Sequence, residues 1–233
     1  MSDHAARQCF ISIVMPVLNE AEVIATRIGE LKHLRKHGYE LIVVDGGSHD
    51  GAADRAVAAD LVLVSARGRA RQMNAGAHQA NGQFLLFLHA DTQLPPDVAD
   101  VLAPLAQASE PRWGRFDVRL DSPAWWARII ETAMNLRSRW TAVATGDQAM
   151  FVHRDLFAAV GGFEDIPLME DIALSKALRR RSSPLCLRAR VRTSARRWQR
   201  HGVVRTVLLM WRLRLAYWLG VPPAKLALQY AER

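Results

Sequence analysis

Short apolar runs alternate with segments of helical spacing through about the first hundred residues of this chain. Strands are predicted at residues 10–17, 41–44, 61–64 and 84–88. Because these runs are continuously apolar, they are typical of strands buried on both faces, as in a parallel sheet. Helices are predicted at residues 19–37, 52–59 and 68–80, with Asn19 capping the first and Ser48 or Asp50 the second. This alternation predicts a doubly wound α/β fold.

Two of the predicted strands end in an acidic turn. Asp45 follows the run at 41–44, and Asp91 follows the run at 84–88. Open α/β sheets bind their ligands at the carboxyl ends of the strands, so we expect both carboxylates at one edge. This arrangement suits a metal and a phosphorylated ligand. For Asp45 a second interpretation stays open, in which the side chain caps the turn that follows it.

The second half of the chain has a less regular pattern. Helices are predicted at residues 95–105, 123–139, 155–160 and 172–181. Strands are predicted at 115–120 and 148–153, and the pair Gly161 and Gly162 predicts a turn. Residues 203–220 have the spacing of an amphipathic helix, whose apolar face is formed by Val204, Val207, Leu208, Trp211, Leu215 and Trp218.

The apolar face of this C-terminal helix has two interpretations. It packs on the rest of the protein or on a partner, or it lies on a membrane surface, where tryptophan is favourable. Arg205 and Arg212 lie on another face, and Arg214 lies close to the edge of the apolar one. The chain therefore carries a helix whose partner the sequence alone does not identify.

Composition limits the classes of function. With 233 residues, of which 50% are hydrophobic, the chain suits one large domain or a domain with an appendage. Cys9 and Cys186 match no metal-binding spacing, so we interpret them as reduced thiols of a cytoplasmic protein. We expect neither a signal peptide nor a membrane span, because no run approaches roughly 20 apolar residues.

The net charge of +8 is unevenly distributed. Residues 176–214 contain thirteen Lys and Arg side chains and neither Asp nor Glu. Such a region suits anionic lipid or a phosphorylated substrate, or it is a solvated cationic surface. Because the chain has no recognisable nucleic-acid-binding motif, we expect no nucleic-acid partner.

Six short motifs occur in the order seen in one enzyme family. They are Pro-Val-Leu-Asn-Glu (16–20), Val-Asp-Gly-Gly-Ser-His-Asp-Gly (44–51), His-Ala-Asp (89–91), Gly-Asp-Gln (146–148), Gly-Gly-Phe (161–163) and Glu-Asp (170–171). In this order they resemble family 2 glycosyltransferases, which are inverting enzymes of the GT-A fold that use nucleotide-sugar donors. Within that family the chain is similar to compact bacterial members associated with arsenosugar biosynthesis clusters.

The resemblance implies a domain organisation and a sheet. Residues 1–200 form a GT-A domain, with a donor half at about 10–95 and an acceptor half at about 96–200. Its sheet is doubly wound, mixed and mostly parallel, with helices on both faces. Residues 201–233 form an amphipathic helical appendage.

The resemblance also assigns the nucleotide site. Pro16 and Asn19 match the loop that lines the nucleotide pocket, and Asp45 matches the acid that hydrogen-bonds the base, commonly uracil. A carboxylate accepts from a ring N–H, which suits such a base. The segment after residue 68 approaches the nucleotide in the family, and its candidate contacts are Arg69, Arg71 and Asn74. Arginine suits the diphosphate because of its forked donors.

The motif at residues 89–91 is implied to hold the metal. Asp91 matches the ligand of a divalent cation, Mg²⁺ or Mn²⁺, which neutralises the departing diphosphate. The family usually has Asp-X-Asp, whereas this chain begins the motif with His89, which is not a hard-metal oxygen ligand. His89 and Ala90 are therefore assigned to the ribose or diphosphate of the donor. A histidine packed at a strand end is the alternative for His89.

Inversion at the anomeric carbon needs a base opposite the leaving group. By resemblance Asp171 is that base, and Glu170 orients or contacts the acceptor. The alternative is that the acidic pair caps the helix predicted at 172–181. The acceptor side is implied to contain Gly146, Asp147, Gln148 and Trp198. The Arg-Arg-Trp at 196–198 only partly matches the motif of processive members, so we expect no polysaccharide synthase.

Together these features predict sugar transfer from a nucleotide-sugar, most commonly a UDP-sugar, to a hydroxyl-bearing acceptor. That acceptor is a small metabolite or is lipid-linked, and the expected location is cytoplasmic, with attachment to the inner face of the cell membrane as a hypothesis. A sugar nucleotidyltransferase is disfavoured because residues 16–20 lack its Gly-rich basic loop. A non-catalytic scaffold on anionic membranes is the alternative from another class.

Overall fold

Eight strands form one mixed sheet in this computed structural model, which describes residues 10–108 and 110–231. The strands are β1 (Ile11–Val17), β2 (Tyr39–Asp45), β3 (Leu61–Val64), β4 (Phe84–Phe87), β5 (Thr92–Gln93), β6 (Trp113–Asp121), β7 (Phe151–His153) and β8 (Leu185–Ser194). Their order across the sheet is β3-β2-β1-β4-β7-β6-β8-β5. The first four strands pair in parallel, and β7 pairs antiparallel with both β4 and β6. The predicted mixed, mostly parallel sheet is confirmed.

Helices cover both faces of this sheet. They are α1 (Ile24–Leu31), α2 (Ala52–Arg55), α3 (Arg69–Gln79), α4 (Val98–Leu102), α5 (Trp125–Thr141), α6 (Arg154–Ala159), α7 (Glu170–Arg179), α8 (Arg196–His201), α9 (Val203–Trp218) and α10 (Pro223–Ala231). Alternate residues of β1 belong to different cores: Ile13 and Met15 pack with α1, whereas Val14 packs with α3. Continuous apolar runs thus fill both faces, as expected for buried strands.

Several predicted boundaries were wrong for local reasons. Asn19 does not cap α1, which begins at Ile24, because Asn19 has a φ of 55° and contacts the neighbouring loop instead. The helix predicted at 52–59 ends at Arg55. Asp50 accepts a hydrogen bond from the Ala52 N–H, but the N-cap position of α2 is Gly51, and no side chain caps the helix there. β8, α8 and α10 were not predicted as separate elements.

The C-terminal helix α9 lies where the sequence predicts a helix. The face that packs on the domain is, however, not the apolar face that the sequence predicted. Leu213 and Thr206 are the buried residues of α9. Most of the predicted apolar face is exposed: Val204, Leu208, Trp211, Leu215 and Trp218. The helix therefore packs on the domain through a different face. Among the described residues, no helix is both long and apolar enough to cross a membrane.

The two cysteines differ in what the structure records. Cys186 on β8 is a free, half-buried cysteine, and its interpretation as a reduced thiol stays a prediction. Cys9 lies outside the described residues.

Candidate active site

One large cavity, of about 1110 Å³, opens at the carboxyl ends of β1 and β4. The start of α3, the turn before β7 and the start of α7 form further walls, and α8, α9 and α10 close the remaining side. The predicted site residues that line it are Pro16, Arg69, His89, Ala90, Asp91, Gly146, Asp147, Glu170, Asp171 and Trp198. The motifs that the resemblance assigns to the donor and to the acceptor therefore meet at one cavity.

Asp171 is held in place by two backbone donors. Its Oδ2 accepts a hydrogen bond from the Gly146 N–H at 2.9 Å, and its Oδ1 accepts from its neighbour Ile172 at 2.7 Å. Met169, directly before α7, has a φ of 72°, which is strained for a residue with a side chain. This turn lets α7 begin with two acidic residues that both line the cavity. The geometry fixes a carboxylate in the cavity wall, as a positioned base requires.

Glu170 and Asp147 have pKa values that shift in opposite directions. Burial and the adjacent charge of Asp171 raise the pKa of Glu170 above its ordinary value, although Arg69 opposes this. Partial burial raises the pKa of Asp147, but the contact with His89 and the charge of Arg69 outweigh it, and the net pKa is lowered. The Asp147 Oδ1 lies 3.8 Å from the His89 Nδ1. Carboxyl groups with divergent pKa values in one cavity are typical of active sites.

Arginines from three separate elements face these acids. Loss of surrounding water lowers the pKa of Arg69, but the nearby Tyr230 and the acids Glu170, Asp147 and Asp171 outweigh this effect, and the net pKa is raised. Arg214 of α9 has a lowered pKa because of burial, although the charges of Asp171 and Asp147 oppose the shift. The guanidinium of Arg197 lies 4.0 Å from the ring centroid of Tyr230. The cavity therefore combines acids with cations that suit phosphate.

Asp91 and Glu20 line the donor side of the cavity. Burial, followed by the charge of Asp91, raises the pKa of Glu20, so the two carboxyl groups lie close enough to interact. The described residues contain no group of three or more acidic, histidine or cysteine side chains arranged to hold a metal. Mg²⁺ is commonly bound by one or two carboxylates together with substrate phosphates. This donor set therefore fits a cation that is completed by the donor diphosphate.

Five predicted site residues do not line the cavity. Asp45 closes the turn after β2, where its Oδ2 accepts from the N–H groups of Gly47 and Ser48. Asn19 contacts that same turn by accepting from the His49 N–H. These two residues therefore shape the loop, as the alternative interpretation of Asp45 describes. A role of Asp45 or Asn19 toward a nucleotide base stays a prediction.

The other three residues outside the cavity also make internal contacts. Asn74 exchanges two hydrogen bonds with the Phe163 backbone, at 2.8 and 2.9 Å. Arg71 pairs with Asp165 on the surface at 2.8 Å. Gln148 is buried, and its Oε1 accepts from the Thr145 N–H. Of the two arginines expected near the donor, Arg69 alone lines the cavity.

Sequence reasoning missed several residues that line the cavity. They are Glu20, Arg67, Gln72, Arg196, Arg214 and Tyr230. Arg197, predicted as a contact of the diphosphate, does line the cavity. Glu20 belongs to a recognised motif, and Arg214 interrupts the edge of an apolar helical face, so each carried a signal. Tyr230 lies on α10, which the sequence pattern did not distinguish from α9, and no signal in the sequence indicated its place.

Two similar proteins are named as sugar transferases that involve undecaprenyl phosphate. An undecaprenyl-phosphate 4-deoxy-4-formamido-L-arabinose transferase of Pseudomonas savastanoi pv. phaseolicola is 32% identical over 154 residues, or 59% of this chain and 44% of that protein. The enzyme of the same name from Proteus mirabilis is 36% identical over 101 residues, or 37% of this chain and 30% of that protein. This chain thus matches less than half the length of these relatives.

Three solved structures share the fold. S. aureus TarS 1–349 in complex with UDP has a TM-score of 0.63 and 18% identity, over 79% of this chain and 60% of that chain. Glucosyl-3-phosphoglycerate synthase of Mycobacterium tuberculosis, in complex with Mn²⁺, UDP and glucosyl-3-phosphoglycerate, has a TM-score of 0.60 and 20% identity, over 78% and 70%. The mannosyltransferase PcManGT of Pyrobaculum calidifontis, with GDP-Man and Mn²⁺, has a TM-score of 0.63 and 19% identity, over 88% and 60%.

The family assignment rests on the chain itself. The family model described as Glycosyl transferase family 2 matches residues 12–163, which is more than half of the chain. The matched range contains the nucleotide-loop, His-Ala-Asp and Gly-Gly-Phe motifs, and its fold is that of the three solved structures. The chain belongs to glycosyl transferase family 2 and has the GT-A fold of that family.

Proposed function

We propose that this protein transfers a hexose-like sugar from a nucleotide-sugar to a hydroxyl-bearing acceptor, with inversion at the anomeric carbon. The observation that carries the proposal is the convergence of Asp91, Arg69 and Asp171 in one cavity. The first two suit a diphosphate and its cation, and the third suits an attacking hydroxyl. A UDP-sugar is the favoured donor, since two structural neighbours are described in complex with UDP.

The chain's own residues divide the work of the reaction. Asp171 accepts the proton of the acceptor hydroxyl while the oxygen bonds to the anomeric carbon and the bond to the diphosphate breaks. The Gly146 and Ile172 N–H groups hold the carboxylate so that little reorganisation is needed. Arg69 and His89 face the leaving diphosphate. Glu170, whose pKa is raised by burial and by Asp171, orients the acceptor.

A divalent cation, Mg²⁺ or Mn²⁺, is part of this proposal. Asp91 would hold it with Glu20 nearby, and the diphosphate would supply the remaining oxygen ligands. When bound, the cation neutralises negative charge on the leaving group. The support is the donor set of the cavity and the Mn²⁺ named with two structural neighbours.

The acceptor is proposed to be lipid-linked. The relatives described above are named for transfer involving undecaprenyl phosphate. Arg214 and Trp198 line the acceptor side and suit an anionic group and an apolar stem. A small metabolite is the alternative acceptor, and the similarity to arsenosugar-associated members stays a prediction. A cytoplasmic location belongs to the same proposal.

Thermal stability in the presence of nucleotides tests the donor site. The protein is heated with UDP, GDP, dTDP or CDP, each with and without Mn²⁺. A ligand at about a hundred times its dissociation constant stabilises by roughly 2.7 kcal/mol, which raises Tm by about 5–10 °C for a chain of this size. We expect UDP with Mn²⁺ to give the largest shift, and Asp91→Ala to abolish the Mn²⁺-dependent part.

The matched control is Asp155→Ala, because Asp155 is an exposed carboxylate on α6 outside the cavity lining. It should leave the nucleotide response unchanged. If no nucleotide shifts Tm in the wild-type protein, the donor proposal is wrong.

A further inference from the structure

Two helices of the structure expose rows of large apolar side chains. On α5 the exposed residues are Trp125, Ile129, Leu136 and Trp140, and on α9 they are Val204, Leu208, Trp211, Leu215 and Trp218. Successive members of each set are three, four or seven residues apart, so each set forms one stripe along its helix. Trp140 is 81% exposed and Trp218 is 72% exposed, which is unusual for residues of this size.

The two stripes belong to neighbouring helices. Val203 at the start of α9 packs against the cluster that contains Ala127 and Ile130 of α5, and so does Trp198 of α8. Further along both helices, the charge of Arg214 acts on buried Arg137 and, after burial itself, lowers its pKa to about 10. The packing at Val203 places the start of α9 near the start of α5, and the charge interaction of Arg214 with Arg137 indicates that α9 stays near α5 further along, in the same direction.

The geometry of each helix places both stripes on one outer surface. At about 100° per residue, Ile130 and Arg137 lie roughly a quarter turn from the α5 stripe. Val203 and Arg214 lie about a quarter turn from the α9 stripe in the opposite sense. Since these are the sides by which the two helices face each other, both stripes lie on the same outer surface. We call the nine exposed residues the α5–α9 surface.

The exposed charge on the helices that carry this surface is of one sign. Among residues of α5, α8 and α9 the one acidic side chain is Glu131, which is 4% exposed. Arg205 and Arg212 are exposed on the outer flank of the α9 stripe. An apolar centre with a cationic border suits an anionic, amphipathic partner.

We propose that the α5–α9 surface docks on an anionic lipid bilayer, with its four tryptophans at the level of the headgroups. The indole ring, apolar with one polar N–H, is favoured at that depth, and the arginines contact lipid phosphates. A second copy of the chain fits less well, because a two-fold interface would bring like-charged borders together. The proposal is independent of the transfer reaction.

Vesicle co-sedimentation of the full chain tests this surface. The vesicles contain phosphatidylcholine alone or equal parts of phosphatidylcholine and phosphatidylglycerol. We expect binding to the anionic vesicles that weakens with added salt. The double variants Trp211→Glu/Trp218→Glu and Trp125→Glu/Trp140→Glu should each weaken it by at least about tenfold. Arg205→Glu/Arg212→Glu should remove the preference for phosphatidylglycerol.

The matched control is Val57→Glu, since Val57 is 78% exposed but lies between α2 and β3, outside the α5–α9 surface. It should bind as the wild type does, and circular dichroism melting checks that every variant folds. Absence of wild-type binding to anionic vesicles would overturn the proposal. A wild-type dimer that the tryptophan variants convert to a monomer would overturn it too, because the occupant would then be a second copy. Loss of binding in the α9 variant alone would overturn the role of α5.

Discussion

The predicted donor and acceptor parts of the site are constructed differently. Near the predicted donor side, Asp45 and Asn74 lie outside the cavity lining and have their polar atoms bound to backbone groups of neighbouring loops. On the acceptor side, Asp147, Glu170 and Asp171 lie close together, and the first two have shifted pKa values. Hydrogen bonds to backbone fix the shape of a loop, whereas crowded ionisable groups are available for chemistry. Substitutions should therefore change stability first on the donor side and turnover first on the acceptor side.

The largest effect is expected for Asp171→Asn. Removal of a general base lowers kcat by about 10²–10⁴-fold, while the affinity for the donor nucleotide should change little. Turnover with a competent acceptor and nucleotide binding by calorimetry measure the two quantities. Asp155→Asn on the surface of α6 is the control. If Asp171→Asn keeps near wild-type turnover, another group is the base and the acceptor side loses its special role.

Gly146→Ala should have the next largest effect. A methyl group at this position would overlap the His89 ring, so His89 has to move, and a shift of about 1 Å at a catalytic site costs up to about 10²-fold in rate. Gly29→Ala on α1 is the matched control, because a Cβ there meets no atom within 4 Å. In the middle of a helix it should stabilise by about 0.5–1 kcal/mol. Equal activity of both variants would show that the contact between Gly146 and His89 is irrelevant to turnover.

On the donor side, Asn74→Ala should act on stability. It leaves the N–H and C=O of Phe163 without their partner, which costs about 1–3 kcal/mol of unfolding free energy. Chemical denaturation measures this loss. Arg71→Ala, which breaks only an exposed pair with Asp165, is the control and should leave stability unchanged. A variant of Asn74 that loses turnover without losing stability would contradict the division between the two sides.

The smallest effect is expected in the pH dependence of stability. The folded pKa of Glu170 lies above its ordinary value of 4.5, so the folded protein binds more protons there than the unfolded chain. Stability therefore falls as pH rises through this window, and the loss is complete above the raised pKa. Glu170→Gln stays neutral, so its Tm should fall less with rising pH than that of the wild type. Glu22→Gln, on the exposed surface, should follow the wild-type curve.

The donor half was largely predictable because its pattern is local. Continuous apolar runs predicted β1 to β4. Pro16 near the end of β1 and Asp91 after β4 lie at the cavity, as the carboxyl ends of these strands predicted. β8 was missed because its exposed residues, among them Arg190 and Arg192, look like part of a basic surface. The conformation of Asn19 depends on contacts with a loop about thirty residues away, which no local pattern encodes.

The C-terminal contribution to the cavity was predictable only in part. Arg214 stood out at the edge of an apolar face, but its direction became clear only once α9 packed through Leu213. The pattern predicted correctly that a helix would form, and tertiary packing decided which face met water. The division into a domain at 1–200 and an appendage at 201–233 stays a prediction.

The α9 helix carries cavity-lining residues on one side and an exposed apolar stripe on another, and this has a consequence for how the chain can change in length. Inserting a single residue early in α9 would rotate everything after it by about 100°. Arg214 would then leave the cavity wall, and the same insertion would rotate the tryptophan stripe away from the outer surface. Point substitutions can alter either face alone, but insertions and deletions cannot. We therefore expect length variation among similar chains to be excluded from 203–214 and tolerated at the turn around Gly220.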